Sequence, residues 1–177
     1  EKVSKLITLG TPFHGSPLAG AKIATKIFLA NCEGTKNLKW DYYNEESSEH
    51  DSIRNQFLYD LYKSTTVYPS TKYVAFAGYF DKYPKTTKTY ELTYNLLLTF
   101  AYDDAQPSWA NNDCIVPLVS SSYEGRTTGP YSLFEKTWNC GPYDHSELKE
   151  GKGATDDPIF KQISEEISAS LPPVNHA

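Results

Sequence analysis

The sequence predicts an α/β fold in which a mostly parallel sheet is flanked by helices. Three short segments have the apolar, β-branched or aromatic composition of buried strands: Val3–Leu9, Tyr73–Phe80 and Leu133–Trp138. Segments with the apolar spacing of helices alternate with these strands. The alternation indicates a parallel sheet, because parallel neighbours are joined by crossover connections that commonly contain a helix.

Helices are predicted where apolar residues recur every three or four positions. These segments are Leu18–Ala30, Ile53–Tyr62, Tyr90–Tyr102 and Pro158–Leu171. In the third, Leu92, Leu96 and Phe100 are aligned on one side. The last helix is predicted to bury Ile159, Phe160, Ile163 and Ile167 on one side, with Asp156 or Asp157 as its N-cap ahead of Pro158.

Composition sets broad limits on function. A chain of 177 residues, 39% of them hydrophobic, has the size of one domain. A net charge of −5 without a basic run argues against a nucleic-acid partner, and no apolar run is long enough for a transmembrane segment. The absence of methionine and the 14 tyrosines favour a secreted, extracellular protein, and Glu1 is not a translation start.

Three loop segments carry candidate chemistry. In Leu6–Ser16 (LITLGTPFHGS) a strand runs into a loop rich in glycine and proline, and ligands of α/β sheets gather at the carboxyl ends of strands. A plain strand-ending turn explains this segment equally well. In Asn111–Pro117 (NNDCIVP) the carboxylate of Asp113 could orient an imidazole, although an Asx turn is the more economical interpretation.

The third segment is Tyr143–Leu148 (YDHSEL), in which His145 follows a strand and precedes the last helix. A histidine in that position can act as a general base, and a solvated loop histidine is the alternative. His14 is the rival base, because its loop is predicted to face the same cleft.

In this order the three segments resemble the second half of α/β-hydrolase fold lipases and esterases, especially bacterial true lipases. The resemblance covers roughly Val3–Leu171 and implies the triad order Ser, Asp, His. It implies that Asp113 is the catalytic acid and His145 the base. It also implies a substrate-cleft loop of Thr11, Pro12, Phe13 and His14, and a structural Ca²⁺ for which Glu147 is a candidate ligand. A solvated surface carboxylate is the alternative for Glu147, and no other cofactor is implied.

The chain departs from the family pattern in one respect, because no serine in it lies in a Gly-x-Ser-x-Gly sequence. We therefore expect residues 1–177 to be a single partial α/β-hydrolase domain, incomplete without an upstream half of the same protein that supplies the nucleophile and the oxyanion hole. Residues at about 18–62 and 81–110 are predicted as cap or lid insertions over an acyl pocket, or else as ordinary core helices.

The expected function of the complete protein is hydrolysis of carboxylic esters, with acylglycerols or similar lipid esters as substrates. Two alternatives stay open. The chain could be a binding module on a degenerate hydrolase fold, or part of a related acyl-transfer enzyme such as an amidase or thioesterase. The residues of a triad do not separate these reactions.

The three cysteines are Cys32, Cys114 and Cys140. If the acid and base meet, Cys114 and Cys140 are brought to the same region, and a disulfide between them would fit an oxidising compartment. Two alternatives stay open: a free thiol at Cys114, packed beside Ile115, or a disulfide of Cys32 with either of these cysteines or with one in the upstream half.

We expect residues 1–177 alone to have no esterase activity, because they lack the nucleophile and the oxyanion donors of the family. The measurement is hydrolysis of a short-chain p-nitrophenyl ester by the purified chain. Turnover that a serine-directed phosphonate abolishes would contradict this expectation.

Overall fold

The fold is that of a computed structural model, which describes residues 3–20, 33–40, 55–58, 60, 71–85, 87–103, 109–122, 134–153 and 157–169. The elements within these ranges are β1 (Lys5–Leu9), α1 (Pro17–Gly20), α2 (Glu33–Asn37), β2 (Lys72–Gly78), α3 (Lys88–Asp103), α4 (Leu118–Ser121), β3 (Phe134–Cys140), α5 (Glu147–Glu150) and α6 (Pro158–Ser168). None of the helices in the described part of the chain is long and apolar enough to cross a membrane.

The three strands form a parallel sheet in the order β1-β2-β3. Register pairs Ile7 with Val74, and Phe76 with Trp138. The residues from Val74 to Gly78 on the central strand are buried. Because successive side chains on a strand point to opposite faces, both faces of β2 are covered. The predicted α/β arrangement and its parallel strands are therefore confirmed for the described residues.

One face of the sheet packs against the last helix. The buried residues of this core are Val74, Phe76, Cys140, Tyr143, Leu148 and Ile159. At the start of α6, Asp157 Oδ1 accepts a hydrogen bond from the Ile159 N–H at 3.0 Å, with Pro158 in the first turn. Of the two predicted caps, Asp157 is the one used. Ile167 was expected on the buried side but is exposed, and Glu166 is buried in its place.

Helix α3 extends two residues before and one beyond the predicted segment. Its buried positions are Thr93, Tyr94, Leu97 and Ala101, and Leu92 is exposed. Leu92 and Leu96 therefore lie at the edge of the buried face. Helix α3 packs against two different groups of residues. Leu97 contacts Leu18 of α1, whereas Tyr94 contacts Phe80 after β2.

Several predicted elements lie partly outside the described residues. Only 18–20 of the predicted helix Leu18–Ala30 are described, and they belong to α1. Of Ile53–Tyr62, residues 56–58 and 60 are helical. Helix α2 falls within residues 18–62, which were predicted as a cap or lid insertion or as ordinary core helices. The short helices α4 and α5 were not predicted, since one turn is too short for a periodic signal.

The predicted disulfide between Cys114 and Cys140 is wrong, because both are free thiols. Cys114 packs with Phe80 and Tyr94, whereas Cys140 lies in the core beneath α6. Burial raises the pKa of Cys140 to about 11, and that of Cys114 is raised by burial and then by the nearby Asp113. Both thiols are therefore protonated, packed apolar groups at neutral pH.

Glu166 of α6 is held by a cation from each of two strands. Its carboxylate lies 2.6 Å from Lys136 Nζ and 3.5 Å from Lys72 Nζ, and the Trp138 indole N–H donates to it at 3.1 Å. Lys5 of β1 donates to the backbone carbonyl of Glu166. All three strands are thus fastened at one place to the end of α6, where the carbonyls favour cations.

Replacing Glu166 with Gln is expected to lower the free energy of unfolding by about 1–3 kcal/mol at pH 7, because hydrogen bonds between charged groups are lost. The partial exposure of Lys136 to solvent limits the size of this loss. The Lys136 contact, opposed by burial, lowers the pKa of Glu166 from its ordinary value of 4.5. This contribution is therefore fully present above pH 4.5 and is lost as the pH falls through the lower, folded-state pKa.

Urea unfolding between pH 3 and 7 measures this difference. Glu165→Gln is the matched control, because it removes an exposed carboxylate from the same turn of α6. Equal effects of the two substitutions, or a difference between wild type and Glu166→Gln that does not shrink in acid, would contradict a structural role for the ion pairs.

Candidate active site

The carboxyl ends of the three strands bring the three predicted loops together. Gly10 follows β1, Phe80 follows β2, and the segment 141–145 follows β3. The Phe80 N–H donates to the carbonyl of Asn112 at 3.0 Å, so the loop that carries Asp113 is anchored at the end of the central strand. This is the edge of a parallel sheet where ligands bind.

Asp113 is fully buried, and both of its carboxylate oxygens are used. Oδ1 accepts hydrogen bonds from the N–H groups of Ile115, at 3.0 Å, and Val116, at 2.6 Å. Oδ2 lies 2.8 Å from Nδ1 of His145. The Asx turn and the contact with an imidazole were competing interpretations of Asp113, and the structure contains both because each uses a different oxygen.

His145 meets Asp113 twice, as its backbone N–H also donates to the Asp113 carbonyl at 3.0 Å. The predicted contact between these two side chains is therefore confirmed, while their catalytic roles stay a prediction. The His145 side chain is 34% exposed. With Nδ1 directed at the carboxylate, Nε2 is the nitrogen available for proton transfer, and it has no hydrogen-bond partner among the described residues.

The pKa of His145 is raised above its ordinary value of 6.5. Burial alone would lower it, and the hydrogen bond and negative charge of Asp113 outweigh that effect. Lys149 opposes the rise and Asp144 adds to it. The imidazole thus sits beside a carboxylate that stabilises its protonated form, which is what a general base needs when it accepts a proton.

Two glycines make room for this pair, and neither was predicted to do so. Gly10 has φ +58°, and a Cβ there would lie 3.0 Å from His145 Nδ1 and 3.1 Å from its Cε1. At Gly78, the last residue of β2, a Cβ would lie 2.7 Å from the Tyr143 carbonyl and 3.1 Å from Asp113 Cβ. A glycine at the end of a strand thus marks a place where another segment approaches closely.

A reciprocal capping box holds the residues around His145. Asp144 Oδ1 accepts from the N–H groups of Ser146 and Glu147, each at 2.9 Å. In return, Glu147 Oε2 accepts from the Asp144 N–H at 2.9 Å. An acidic residue followed three positions later by glutamate is the sequence signal of such a box, and it was present in Asp144–Glu147.

The structure therefore gives Glu147 a local role as a helix cap. No group of three or more His, Cys, Asp or Glu side chains in the described segments is arranged to hold a metal ion. The calcium assignment of Glu147 stays a prediction.

The loop Thr11–His14 follows Gly10, so its start lies beside the imidazole. Its last residue, His14, is buried, and the centroid of its ring lies 6.1 Å from that of Trp40. The backbone N–H of His14 donates to Ser120 Oγ at 2.9 Å. His145, and not this rival histidine, is thus the one that meets Asp113. The role of Thr11, Pro12, Phe13 and His14 in a substrate cleft stays a prediction.

The base loop is also tied to α6 through Tyr143. Its hydroxyl donates to Asp157 Oδ1 at 2.5 Å, and the Lys152 N–H donates to Asp157 Oδ2 at 2.8 Å. Burial, together with this hydrogen bond, raises the pKa of Tyr143 to about 12. The N-cap of α6 thus also fixes the residue two positions before His145.

Replacing Glu147 with Ala is expected to lower the free energy of unfolding by about 1 kcal/mol, the usual effect of losing a helix cap. Glu147→Gln keeps an oxygen acceptor and is expected to restore most of it, because glutamine also completes capping boxes. Urea unfolding with and without Ca²⁺ measures this, and Glu150→Ala, at an exposed position of α5, is the control. Stabilisation by Ca²⁺ that Glu147→Gln abolishes would favour the metal-ligand role instead.

Comparison with known proteins assigns no family to this geometry. No protein-family model matches the sequence, and a search of curated proteins finds no significant match. The resemblance to lipases therefore depends on the three sequence segments, and a functional proposal depends on the geometry of Asp113 and His145.

Proposed function

We propose that this chain supplies the acid and the base of a Ser-His-Asp triad that hydrolyses carboxylic esters, with lipid esters such as acylglycerols as the substrate class. The observation that carries the proposal is the 2.8 Å contact between Asp113 Oδ2 and His145 Nδ1, made by a buried carboxylate and a partly exposed imidazole. The two residues are 32 positions apart in the sequence and meet at the ligand-binding edge of the sheet.

In this proposal, each residue has a defined part in the reaction. Nε2 of His145 accepts the proton of a serine hydroxyl as the serine oxygen attacks the ester carbonyl. Asp113 holds the proton on Nδ1 and stabilises the imidazolium that forms. The imidazolium then protonates the leaving alcohol as the C–O bond breaks, and water completes the cycle by the same steps.

The serine belongs to the α/β-hydrolase pattern that the three segments resemble, and we propose that it lies outside these 177 residues, since none of their serines has the Gly-x-Ser-x-Gly environment. The related acyl-transfer reactions use the same three groups. A panel of p-nitrophenyl esters, amides and thioesters, tested on the protein expressed from its complete coding sequence, separates them. A degenerate binding module would turn over none of these substrates and would resist a serine-directed phosphonate.

Replacing His145 with Ala in that complete protein is expected to lower kcat by roughly 10⁴-fold or more, as losses of triad residues do elsewhere. Activity should also fall in acid, as the pH drops through the raised pKa of His145 and protonates the base. Asp113→Asn should move this acid limb to lower pH, because the interactions that raise the pKa are removed and burial remains.

The measurements are kcat and the pH profile of kcat/KM. His176→Ala is the matched control, a histidine outside every predicted site. Near-normal turnover by His145→Ala would defeat the proposal, and so would an acid limb that does not move in Asp113→Asn.

A further inference from the structure

Helix α3 contacts the residue that directly follows the acid and the residue that directly follows the base. Tyr94, which is buried, packs in one cluster with Phe80 and Cys114, the neighbour of Asp113. The hydroxyl of Tyr90 lies 2.6 Å from Oγ of Ser146, the neighbour of His145. Because Tyr90 and Tyr94 are four positions apart, both contacts come from one face of the helix.

The acid loop and the base loop, which these two contacts join to α3, are each also held by interactions of their own. Cys114 has a positive φ of 74°, which only a tightly constrained turn maintains in a non-glycine residue. On the other loop, the capping box fixes Asp144, the residue before His145. The backbone N–H of Ser146 belongs to this capping box as well, and the hydrogen bond between the hydroxyls of Ser146 and Tyr90 adds a contact between its side chain and a residue 56 positions away.

We propose that α3 clamps the acid loop to the base loop, and that Tyr90 is a positioning residue for His145. The inference rests on the proposed triad and adds a residue to it from a separate helix. Tyr90 acts through Ser146, since its hydroxyl bonds that side chain and not the imidazole. Without this bond the base loop keeps its capping box but loses its fixed position relative to α3, and the imidazole spends less time in line with Asp113 Oδ2.

The test is a double-mutant cycle of Tyr90→Phe and Ser146→Ala in the complete protein. Both substitutions remove only a hydroxyl, so the Tyr90 ring stays in its cluster. We expect each single variant to lower kcat about three- to tenfold, the range for one neutral hydrogen bond, with a smaller change in KM. The double variant should lose no more than either single one, because both remove the same bond. Ser146→Thr keeps the hydroxyl and should retain most of kcat.

A second readout reports position independently of turnover. In the complete protein, we expect the proton on His145 Nδ1 to give a downfield NMR resonance while it is bonded to Asp113, and Tyr90→Phe and Ser146→Ala to broaden or remove it. Ser164→Ala removes an exposed hydroxyl from α6 and is the matched control. An unchanged resonance and kcat within twofold of wild type in both variants would overturn the clamp, as would additive losses in the double variant.

The outcomes also separate the clamp from the proposed function. If His145→Ala is inactive while the two hydroxyl variants behave as wild type, the triad stands and the clamp is wrong. If His145→Ala retains normal turnover, the triad is wrong. The resonance then decides by itself whether α3 positions the pair: its loss in both hydroxyl variants supports the clamp, and its persistence overturns it.

Discussion

The carboxylate of Asp113 has no exposed surface, and a buried charge is tolerated only when hydrogen bonds and an opposite charge compensate it. Two backbone N–H groups satisfy one oxygen, and an imidazole satisfies the other. The first requirement folds residues 113–116 into a tight turn with Cys114 at positive φ. The second brings the loop after β3 onto that turn. The position of His145 therefore follows from the needs of the acid as much as from the strand that precedes it.

The same dependence extends to the surroundings of the pair. A Cβ at Gly10 would lie 3.0 Å from His145 Nδ1, so the imidazole would have to shift, and a Cβ at Gly78 would lie 2.7 Å from the Tyr143 carbonyl, too close for the base loop to keep its place. A side chain at Gly10 or Gly78 would need space that the residues around His145 occupy. Small residues at the ends of two neighbouring strands are thus part of the site, although they carry no chemistry themselves.

The sequence allowed the prediction of features that depend on local periodicity or on loop order. The three strands, the last helix and its Asp157 cap are such features. The Asp113–His145 pair was predicted through the resemblance of the three segments to α/β-hydrolases, since Asp113 alone favoured an Asx turn. The directions in which the side chains of Cys114 and Cys140 point could not be predicted from the sequence. Cys114 follows the acid and Cys140 precedes the base, yet positive φ turns Cys114 toward Tyr94, while Cys140 faces α6.

Periodicity also failed where a polar group is buried by partners from elsewhere in the chain. An apolar stripe on α6 predicted burial of Ile167, but the lysines of β2 and β3 make Glu166 the residue that points inward. Helical spacing within one segment contains no information about cations on other strands. The capping role of Glu147 is of another kind, because its signal, Asp144 followed three positions later by glutamate, is local and lies in the sequence itself.

Two of the buried carboxylates, Asp113 and Glu166, lie near opposite ends of the sheet, and their partners determine what each can do. Glu166 is paired with two lysines and accepts a hydrogen bond from an indole N–H, so its contacts fasten α6 to the strands. Asp113 is paired with the imidazole of His145, a partly exposed group that can gain and lose a proton. When that imidazole gains a proton, its bond to Asp113 becomes an ion pair and strengthens. A carboxylate beside an imidazole can stabilise a proton that the imidazole accepts, and this is the physical basis for proposing chemistry at this end of the sheet.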